Sequence, residues 1–299
     1  MLAFDSRVAS EASVMAGADM ACHLAKEQGR NRIQAFVDGD ARIEARRGEM
    51  TCASDIRRAL EDDRLRLHFQ PIAALKPQAG ALRHGEMLLR IVDAQGKLLP
   101  PASFISAAER YNQIQAIDRW VVKTAFEWLS HHPDHEASIN LSGQSIGDAQ
   151  LLPFVLRQFE RTGLSPRRVC FEITETAAIG DLGSALKFMN ALRAVGVKFA
   201  LDDFGIGLSS FSYLKTLPVD YVKIDGSFTK TLLTDPVNRG IVEAIVRIAK
   251  LCGLETIAEW VETEEIRSVL ETLGIDHAQG WLIGKPEPLS SVVALAAAA

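Results

Sequence analysis

The sequence has few of the features that cross-link, anchor or export a protein. Its four cysteines, at positions 22, 52, 170 and 252, form no CxxC pair and have no histidines nearby at metal-ligand spacing, so we interpret them as buried reduced thiols. The apolar stretches fall far short of the roughly 20 residues that a membrane span needs, and the first residues lack the charged-then-apolar order of a signal peptide. The sequence therefore predicts a cytoplasmic protein that makes no membrane contact.

Positive charge and aromatic residues are also scarce. The 33 lysines and arginines are outnumbered by 38 acidic residues, which gives a net charge of −5 and argues against binding to DNA or RNA duplexes. A phosphate-bearing ligand would need a local source of positive charge, such as metal ions. Aromatic residues make up only 7% of the chain, which is few for the aromatic-lined sugar cleft of a glycosidase.

The chain does have a regular alternation of short β-rich runs and amphipathic helical segments, typical of βα units around a parallel sheet. The predicted strands are Leu65 to Ile72, Arg83 to Ile91, Ala137 to Leu141, Arg168 to Ile173, Lys198 to Leu201, Tyr221 to Ile224, Glu255 to Ala258 and Ala278 to Ile283. The predicted helices are Ile117 to Leu129, Gln150 to Thr162, Gly183 to Val195, Val237 to Cys252 and Glu264 to Leu273. Eight strands predict a closed (β/α)8 TIM-like barrel. Because the segment between the first two runs is too short for a crossover helix, we expect an irregular first strand, antiparallel to the second.

The character of the sequence changes before Asp55. Residues 18–28 have the pattern of a helix, residues 29–37 that of a short strand, and residues 38–49 that of a charged connector. A lone helix and strand cannot bury their apolar faces, so this part either packs on the barrel or is the remnant of a neighbouring domain. We therefore divide the chain into an N-terminal fragment over 1–38, a linker over 39–54 and the barrel over 55–290.

Polar residues gather where the predicted strands end, which is the edge of an α/β barrel that carries catalytic groups. The residues there are Glu86, Asn140, Glu172, Asp202, Asp203, Lys223, Glu259 and Gln279. So many carboxylates would repel one another strongly unless cations lay between them. All-oxygen ligands select hard ions such as Mg²⁺ or Mn²⁺, and two adjacent aspartates allow one carboxylate to bridge while its neighbour binds a second ion. The ring thus predicts a site for two divalent cations.

Each of these residues also has a purely structural interpretation. A single acidic residue at a strand end is more often a helix N-cap or a salt-bridge partner, and only the set as a whole favours metal. Lys223 lies between Val222 and Ile224 in an apolar strand, where an unpaired ammonium would be costly, so we expect it to have an acidic partner. The three histidines between positions 131 and 135 accompany a Pro-Asp pair and are interpreted as a solvated turn, not as metal ligands.

Eight short motifs follow one another along the barrel. They are Gln70-Pro71-Ile72, Glu86-Met87-Leu88-Leu89-Arg90, Asn140-Leu141-Ser142, Glu172-Ile173-Thr174-Glu175, Asp202-Asp203-Phe204-Gly205, Lys223-Ile224-Asp225, Glu259 through Glu262, and Gln279-Gly280. In this order, from about Asp55 to Pro288, they resemble the EAL domain, the family of bacterial cyclic di-GMP phosphodiesterases. The stretches from Ala18 to Lys26 and from Gly29 to Arg32 are similar to the end of a GGDEF (diguanylate cyclase) domain. The catalytic part of that second domain is absent, so no cyclase activity is expected.

The resemblance implies hydrolysis of cyclic di-GMP to linear pGpG with two divalent cations, Mg²⁺ or Mn²⁺, and with a water between them as the nucleophile. One ion would be held by Glu86, Asn140, Glu172 and Asp202, and the other by Asp202, Asp203 and Glu259. The catalytic residues implied by the resemblance are Glu86, Lys223, Glu259 and Glu262. Those implied to line the nucleotide groove are Gln70, Leu88, Arg90, Asp225 and Gln279.

The resemblance also implies partners. The loop after the fifth strand would couple metal binding to the contact of a homodimer, through Glu175, Phe204, Gly205, Gly207 and Ser209. Upstream GGDEF or sensory domains are expected in the full-length protein.

The chain departs from the family's pattern at four positions. Met87 replaces an alanine, Ile206 and Leu208 replace a threonine and a tyrosine of the loop, and Trp260 replaces the glycine that follows Glu259. None of these removes a metal ligand, but a bulky ring at position 260 could shift Glu259 or crowd the mouth of the barrel. One alternative is therefore a catalytically weak or inactive EAL module that acts as a cyclic di-GMP receptor. Another is an unrelated barrel hydrolase, such as a glycosidase that works with two carboxylates.

Overall fold

A ring of eight strands forms the centre of the computed structural model, which describes residues 55–76, 83–93, 95–99, 101, 104–206 and 213–292. The strands within these ranges are β1 (Leu65–Ala74), β2 (Arg83–Val92), β3 (Leu98–Leu99), β4 (His135–Asn140), β5 (Val169–Thr174), β6 (Lys198–Phe204), β7 (Tyr221–Ile224), β8 (Glu255–Ala258), β9 (His277–Gln279) and β10 (Glu287–Pro288). Pairing runs from β1 through β2, β4, β5, β6, β7, β8 and β9 and back to β1, while β3 and β10 add short edges to β2 and β1. The predicted (β/α)8 TIM-like barrel is confirmed.

The first strand is irregular, as the sequence indicates. β1 runs antiparallel to both of its barrel neighbours, β2 and β9, whereas the remaining pairs around the barrel are parallel. The register sets Gln70 opposite Glu86 and Ile72 opposite Gln279. The antiparallel pairing is therefore confirmed, and it brings polar side chains of three strands to one point.

The last barrel strand is shorter than the sequence predicts. Instead of extending over 278–283, β9 ends at Gln279. There the chain turns back, because Gln279 O accepts a hydrogen bond from Val261 N at 3.0 Å and Ile283 N donates to Gly280 O at 3.0 Å. A Cβ at Gly280 would lie 2.2 Å from Val261 O, so only glycine permits this approach. Periodicity within one segment cannot reveal a turn that a second segment imposes.

Helices connect the strands. They are α1 (Ile105–Arg110), α2 (Ile114–His131), α3 (Gly143–Ile146), α4 (Leu151–Thr162), α5 (Glu175–Gly180), α6 (Leu182–Arg193), α7 (Gly226–Lys230), α8 (Pro236–Leu251) and α9 (Glu264–Leu273), and residues 55–61 are also helical. The five predicted helices are confirmed as α2, α4, α6, α8 and α9. Capping fixes their ends: Asp235 accepts from Val237 N before α8, and Gly274 closes α9 with a left-handed φ of 81°.

The short helices α1, α3, α5 and α7 are not predicted by the sequence. They have four to six residues each, which is too few for a helical period to show. Three of them begin directly after a barrel strand and are capped by a polar side chain: Ser142 before α3, Thr174 before α5 and Asp225 before α7. They set the geometry of the open end of the barrel.

Aromatic residues fill the layer between strands and helices. Phe171 on β5 lies 6.0 Å from Phe199 on β6 and 6.2 Å from Phe188 on α6, measured between ring centroids. Phe126 on α2 and Phe159 on α4 are 4.5 Å apart. All five rings are buried. At roughly 2 kcal/mol for each fully buried large side chain, this layer is a major source of the stability that holds the strand ends in place.

Polar side chains close the N-terminal end of the barrel. His84 Nε2 lies 3.0 Å from Ser138 Oγ, and Lys198 Nζ donates to the Tyr221 hydroxyl at 3.0 Å. Burial lowers the pKa of His84 to about 3, so its ring is neutral. These groups satisfy one another, which leaves reactive chemistry to the opposite end.

The segment with the three histidines contains the predicted turn, at Pro133 and Asp134, but it is solvated only in part. His135 begins β4 and is 1% exposed, and its ring packs against Trp128 at 5.1 Å and Phe69 at 5.5 Å. His132 stacks on Trp128 at 3.9 Å. The predicted solvation is wrong for His135, because packing on aromatic rings overrides the polar composition of the segment.

Several expectations fall on residues 1–54, which lie outside the described residues. They include the first two cysteines, the N-terminal fragment over 1–38 and the linker over 39–54. Of the other two cysteines, Cys170 is a buried free thiol and Cys252 a half-buried one. No helix among the described residues has the length and apolar character to cross a membrane.

Candidate active site

One ammonium group lies among carboxylates at the open end of the barrel. Lys223 on β7 is 1% exposed. Its Nζ lies 2.7 Å from Glu172 Oε2, 2.8 Å from Glu259 Oε1, 3.1 Å from Asp202 Oδ1 and 3.4 Å from Glu86 Oε2. The four carboxylates come from β5, the end of β8, β6 and β2. The acidic partner expected for this lysine is therefore a cluster of four, which we call the Lys223 cluster.

Burial and charge oppose each other within the Lys223 cluster. Burial alone would lower the pKa of Lys223, but its carboxylate partners outweigh that effect and hold the pKa well above its usual range. Burial raises the pKa of Glu259 to about 7, and burial together with the charge of Glu86 raises the pKa of Glu172 well above its usual value. One lysine cannot neutralise four carboxylates, so part of the cluster retains protons until more positive charge arrives.

Glu86 differs from Glu172 and Glu259 in the direction of its pKa shift. Burial would raise its pKa, but Lys223 and two amide side chains outweigh burial and hold the pKa low. Gln279 Nε2 donates to Glu86 Oε2 at 2.8 Å, and Asn140 Nδ2 donates to Glu86 Oε1 at 2.6 Å. Gln279 Nε2 also lies 3.3 Å from Gln70 Oε1. Three predicted site residues thus hold the carboxylate of a fourth in its ionised form.

Asp202 and Asp203 are adjacent on β6, and the strand is deformed around them. In a regular strand, consecutive side chains point to opposite faces. Here the register of β6 against β7 shifts between Leu201 and Phe204, and Asp203 has a left-handed φ of 55°. A bulge of this kind re-aims a side chain. The left-handed conformation costs about 1–2 kcal/mol for a residue other than glycine, and such strain is found at functional positions.

The oxygen atoms at this end of the barrel fit a divalent cation. One oxygen from each of Asp202, Asp203 and Glu259 lies within 4.8 Å of the other two. Glu172 Oε1 is buried and has no hydrogen-bond partner. A cation among such oxygens would supply the positive charge that Lys223 alone lacks, and carboxylate ligands suit Mg²⁺ or Mn²⁺. The donor set therefore fits a divalent cation.

Leu88 and Arg90 follow Glu86 on β2, two and four residues further along the strand. Residues i, i+2 and i+4 of a strand share one face, and both side chains are half-buried. Burial lowers the pKa of Arg90, while the nearby Glu86 opposes that effect. Gln70 lies across the strand pair, where its Nε2 donates to Gly284 O at 3.2 Å. The predicted groove residues on β1 and β2 are thus brought together beside the Lys223 cluster.

Three other predicted residues are placed differently. Asp225 is the N-cap of α7, where its Oδ1 accepts from Ser227 N at 2.7 Å. Glu175 is buried at the start of α5, and its Oε2 has no hydrogen-bond partner. Glu262 is exposed in the segment after Glu259, and the structure does not bring it to Lys223. Asp225 therefore caps α7 with one carboxylate oxygen, and Glu262 makes no ion pair with Lys223.

The loop after β6 is described only in part. Phe204 is buried at the end of the strand, and Gly205 follows it with a φ of 104°. Ile206 is 61% exposed. Gly207, Leu208 and Ser209 lie outside the described residues.

Sequence reasoning missed a contact beside Glu259. Trp260 has a left-handed φ of 56°, a conformation that glycine adopts without strain. Its ring packs on Gly226 and carries the ammonium of Lys230 over one face. The resemblance implies a glycine at position 260, so the tryptophan is a signal in the sequence, but its two partners are 30 or more residues away and become visible only in the fold.

The chain is similar to known proteins in both sequence and fold. Residues 53–286 match the family model described as the EAL domain. The chain is 43% identical over 278 residues to the cyclic di-GMP phosphodiesterase PdeB of Shewanella oneidensis, an alignment that covers 92% of this chain and 32% of that protein. It is 36% identical over 288 residues to the bifunctional diguanylate cyclase/cyclic di-GMP phosphodiesterase MucR of Pseudomonas aeruginosa, over 94% of this chain and 41% of that protein. The chain thus spans about a third to two fifths of the length of these curated relatives.

Two solved structures have the same fold. One is the PaMucR phosphodiesterase in a c-di-GMP complex, with a TM-score of 0.76 and 34% identity over 81% of this chain and all of that one. The other is the FimX EAL domain from Pseudomonas aeruginosa bound to c-di-GMP, with a TM-score of 0.75 and 30% identity over 79% of this chain and 96% of that one.

Proposed function

This chain belongs to the EAL domain family, and from that premise we propose that it hydrolyses cyclic di-GMP to linear pGpG. The observation that carries the proposal is the Lys223 cluster, in which carboxylates from four strands converge within 3.4 Å of one buried ammonium. The name of PdeB and the two ligand-bound neighbours support the choice of substrate. A glycosidase is not supported, because the family is a different one and the cluster is larger than a pair of acids.

The metal ligands follow from the same geometry. We propose that Glu86, Asn140, Glu172 and Asp202 hold one divalent cation, Mg²⁺ or Mn²⁺, and that Asp202, Asp203 and Glu259 hold a second. When bound, two such cations lower the pKa of an attacking water and stabilise the charge that gathers on the phosphoryl oxygens. The bulge of β6 supports this assignment, because it lets two consecutive aspartates serve the same site.

The reaction itself is a hydrolytic displacement at phosphorus. The oxygen of water forms a new bond to phosphorus, the bond to the ribose 3′-oxygen breaks, and that oxygen leaves with a proton. Lys223 lies where its charge can offset the charge that develops in this displacement. We assign Arg90 to a phosphate of the ligand and Gln70, Leu88, Asp225 and Gln279 to the nucleotide groove. Glu262 keeps the catalytic role that the resemblance implies as a proposal, although its side chain is exposed and makes no ion pair with Lys223.

We further propose that the full-length protein carries a GGDEF or sensory region upstream and acts as a homodimer. The alignment to bifunctional MucR over 94% of the chain supports the first part. The second part rests on the family, whose resemblance implies that Glu175 braces the loop after β6; its Oε2 is buried and has no hydrogen-bond partner among the described residues. That loop would then link the Lys223 cluster to a subunit contact through Phe204, Gly205, Gly207 and Ser209.

The test is hydrolysis of cyclic di-GMP by the purified chain with Mg²⁺ or Mn²⁺, followed by separation of products. We expect pGpG from the native chain and none from Glu86→Gln, which keeps the shape of the side chain but removes its charge. Glu136→Gln is the matched control, because Glu136 lies at the opposite end of the barrel with its Oε2 3.5 Å from Lys198 Nζ; it should retain activity. Binding without any product would instead support the receptor alternative, and absence of both binding and cleavage would refute the assignment of the ligand.

A further inference from the structure

The indole of Trp260 has an unusual position for a large apolar side chain. The residue directly follows Glu259, one of the carboxylates that contact Lys223. Its backbone has a left-handed φ of 56°, which a bulky residue rarely adopts, and its side chain is 46% exposed. A residue that is strained and half-exposed at the edge of a site is not explained by the needs of the hydrophobic core.

Two contacts hold the ring at the edge of the mouth. A Cβ at Gly226 would lie 1.9 Å from Trp260 Cδ1, so the indole rests directly on the backbone at the start of α7. Gly226 follows Asp225, which ends the connection from β7. The indole therefore bridges the ends of β7 and β8, on the same side of the barrel as the Lys223 cluster.

The second contact brings a cation to this edge. Lys230 Nζ lies 3.4 Å from the centre of the Trp260 ring, a cation–π arrangement. The mouth is otherwise dominated by carboxylates, and a cyclic dinucleotide with two phosphates would be repelled by them. Lys230 is exposed, so its charge is available to a ligand while the ring fixes its position.

We propose that Trp260 is a substrate-binding residue that stacks on one guanine base of the cyclic dinucleotide, and that Lys230, held against the ring, attracts the adjacent phosphate. This proposal rests on the function proposed above and adds a binding surface to it. Nucleobases stack on exposed aromatic rings because every base has a π-face. Under this proposal the replacement of glycine by tryptophan strengthens binding and does not obstruct the mouth.

The first experiment uses the fluorescence of the ring itself. The native chain is titrated with a phosphorothioate analogue of cyclic di-GMP that resists cleavage, in the presence of Mg²⁺, and intrinsic tryptophan emission is recorded. A stacked purine quenches indole emission, so we expect quenching in the native chain and its loss in Trp260→Phe. Trp281→Phe is the matched control, because Trp281 is also exposed, at 60%, and also lies near a lysine, with Lys285 Nζ 4.9 Å from its ring centre.

The second experiment separates binding from folding. We expect Trp260→Gly, which restores an unstrained residue, to raise KM for cyclic di-GMP about tenfold, as loss of one stacked base does, while kcat changes by less than about threefold. Lys230→Met should also raise KM, and less so as salt is increased, because the attraction it removes is screened by ions. Trp260→Phe should keep KM near the native value, since a phenyl ring still stacks. A thermal melt of each variant checks that the fold is intact.

A third variant moves the ring without removing it. Gly226→Ala places a methyl group where the indole lies, so it should raise KM in the native background and have no further effect when combined with Trp260→Gly.

The proposal is overturned if Trp260→Phe keeps the quenching, if Trp281→Phe alone abolishes it, or if KM is unchanged in Trp260→Gly. If the native chain neither binds nor cleaves cyclic di-GMP, the proposed function fails. If it cleaves normally while these variants behave as the native chain does, only this inference fails.

Discussion

Replacing Lys223 by methionine removes the only ammonium that contacts the four carboxylates of the Lys223 cluster among the described residues. The apolar side chain has a similar length, so the change removes charge with little change of volume. Removing one partner of a buried ion pair costs about 3–5 kcal/mol, because the other partner is left uncompensated. In a domain of this size 1 kcal/mol shifts the thermal midpoint by about 2–4 °C. The midpoint of Lys223→Met in chelator is therefore expected to fall by about 6–20 °C.

The size of this loss depends on pH. Burial already raises the pKa of Glu259 to about 7 and that of Glu172 well above its usual value, and removal of Lys223 raises both further. A folded-state pKa above the unfolded value gives stability that is present at low pH and lost as pH rises through the folded pKa. The deficit of Lys223→Met should therefore be smaller at pH 6, where these acids hold protons, than at pH 8, where they must ionise.

Divalent metal should offset part of the defect in stability. Mg²⁺ at 100 times its Kd stabilises a protein by about 2.7 kcal/mol through mass action, and it replaces charge where the lysine is lost. The assay is a set of thermal melts at pH 6 and pH 8, with chelator or with Mg²⁺. The control is Lys198→Met at the opposite end of the barrel, where Mg²⁺ should give no more rescue than in the native chain. If Lys223→Met melts like the native chain in chelator at pH 8, Lys223 is not the counter-ion of this cluster and our reasoning on its charge is wrong.

Three further predictions concern protons and backbone contacts. Because burial raises the pKa of Glu259 to about 7, a metal ion that binds there at pH 6 must displace a proton. Calorimetric titration with Mn²⁺ should therefore show weaker binding at pH 6 than at pH 8. Equal affinity at both pH values would contradict the assignment of Glu259 as a ligand. Gly280→Ala should lower the thermal midpoint far more than Gly163→Ala. The new methyl group at position 280 meets Val261 O at 2.2 Å, whereas nothing lies within 4 Å of a methyl group at position 163. Similar thermal midpoints of the two variants would refute this steric argument. Gly240→Ala on α8 meets no atom within 4 Å and should raise the free energy of unfolding in urea by about 0.5–1 kcal/mol.

The sequence predicts those strands of the fold that are buried on both faces. Strands such as Tyr221–Ile224 and Glu255–Ala258 are buried along most of their length, so their apolar runs are visible and their ends can be located to within a few residues. Once the strands are placed, the barrel brings their carboxyl ends together, and this is why the carboxylates of the Lys223 cluster can be selected as a group.

The parts that the sequence does not predict depend on contacts between distant segments. Alternation along β6 sends Asp202 and Asp203 to opposite faces, and only the register shift against β7 brings both to the mouth. The catalytic role implied for Glu262 stays a prediction, since the structure shows only that its side chain is exposed. The end of β9 is likewise decided by Val261. Local periodicity contains none of this information, because each feature needs the position of a second strand.

Strain in the backbone connects these features to function. Asp203 and Trp260 both have left-handed φ angles, 55° and 56°, and each directly follows a carboxylate that contacts Lys223. Each costs about 1–2 kcal/mol relative to an ordinary backbone conformation, and glycine at either position would avoid that cost. At Asp203 the strain brings a second carboxylate to the metal site. At Trp260 no such ligand is gained, so retention of a bulky ring there is accounted for if the ring contacts the substrate.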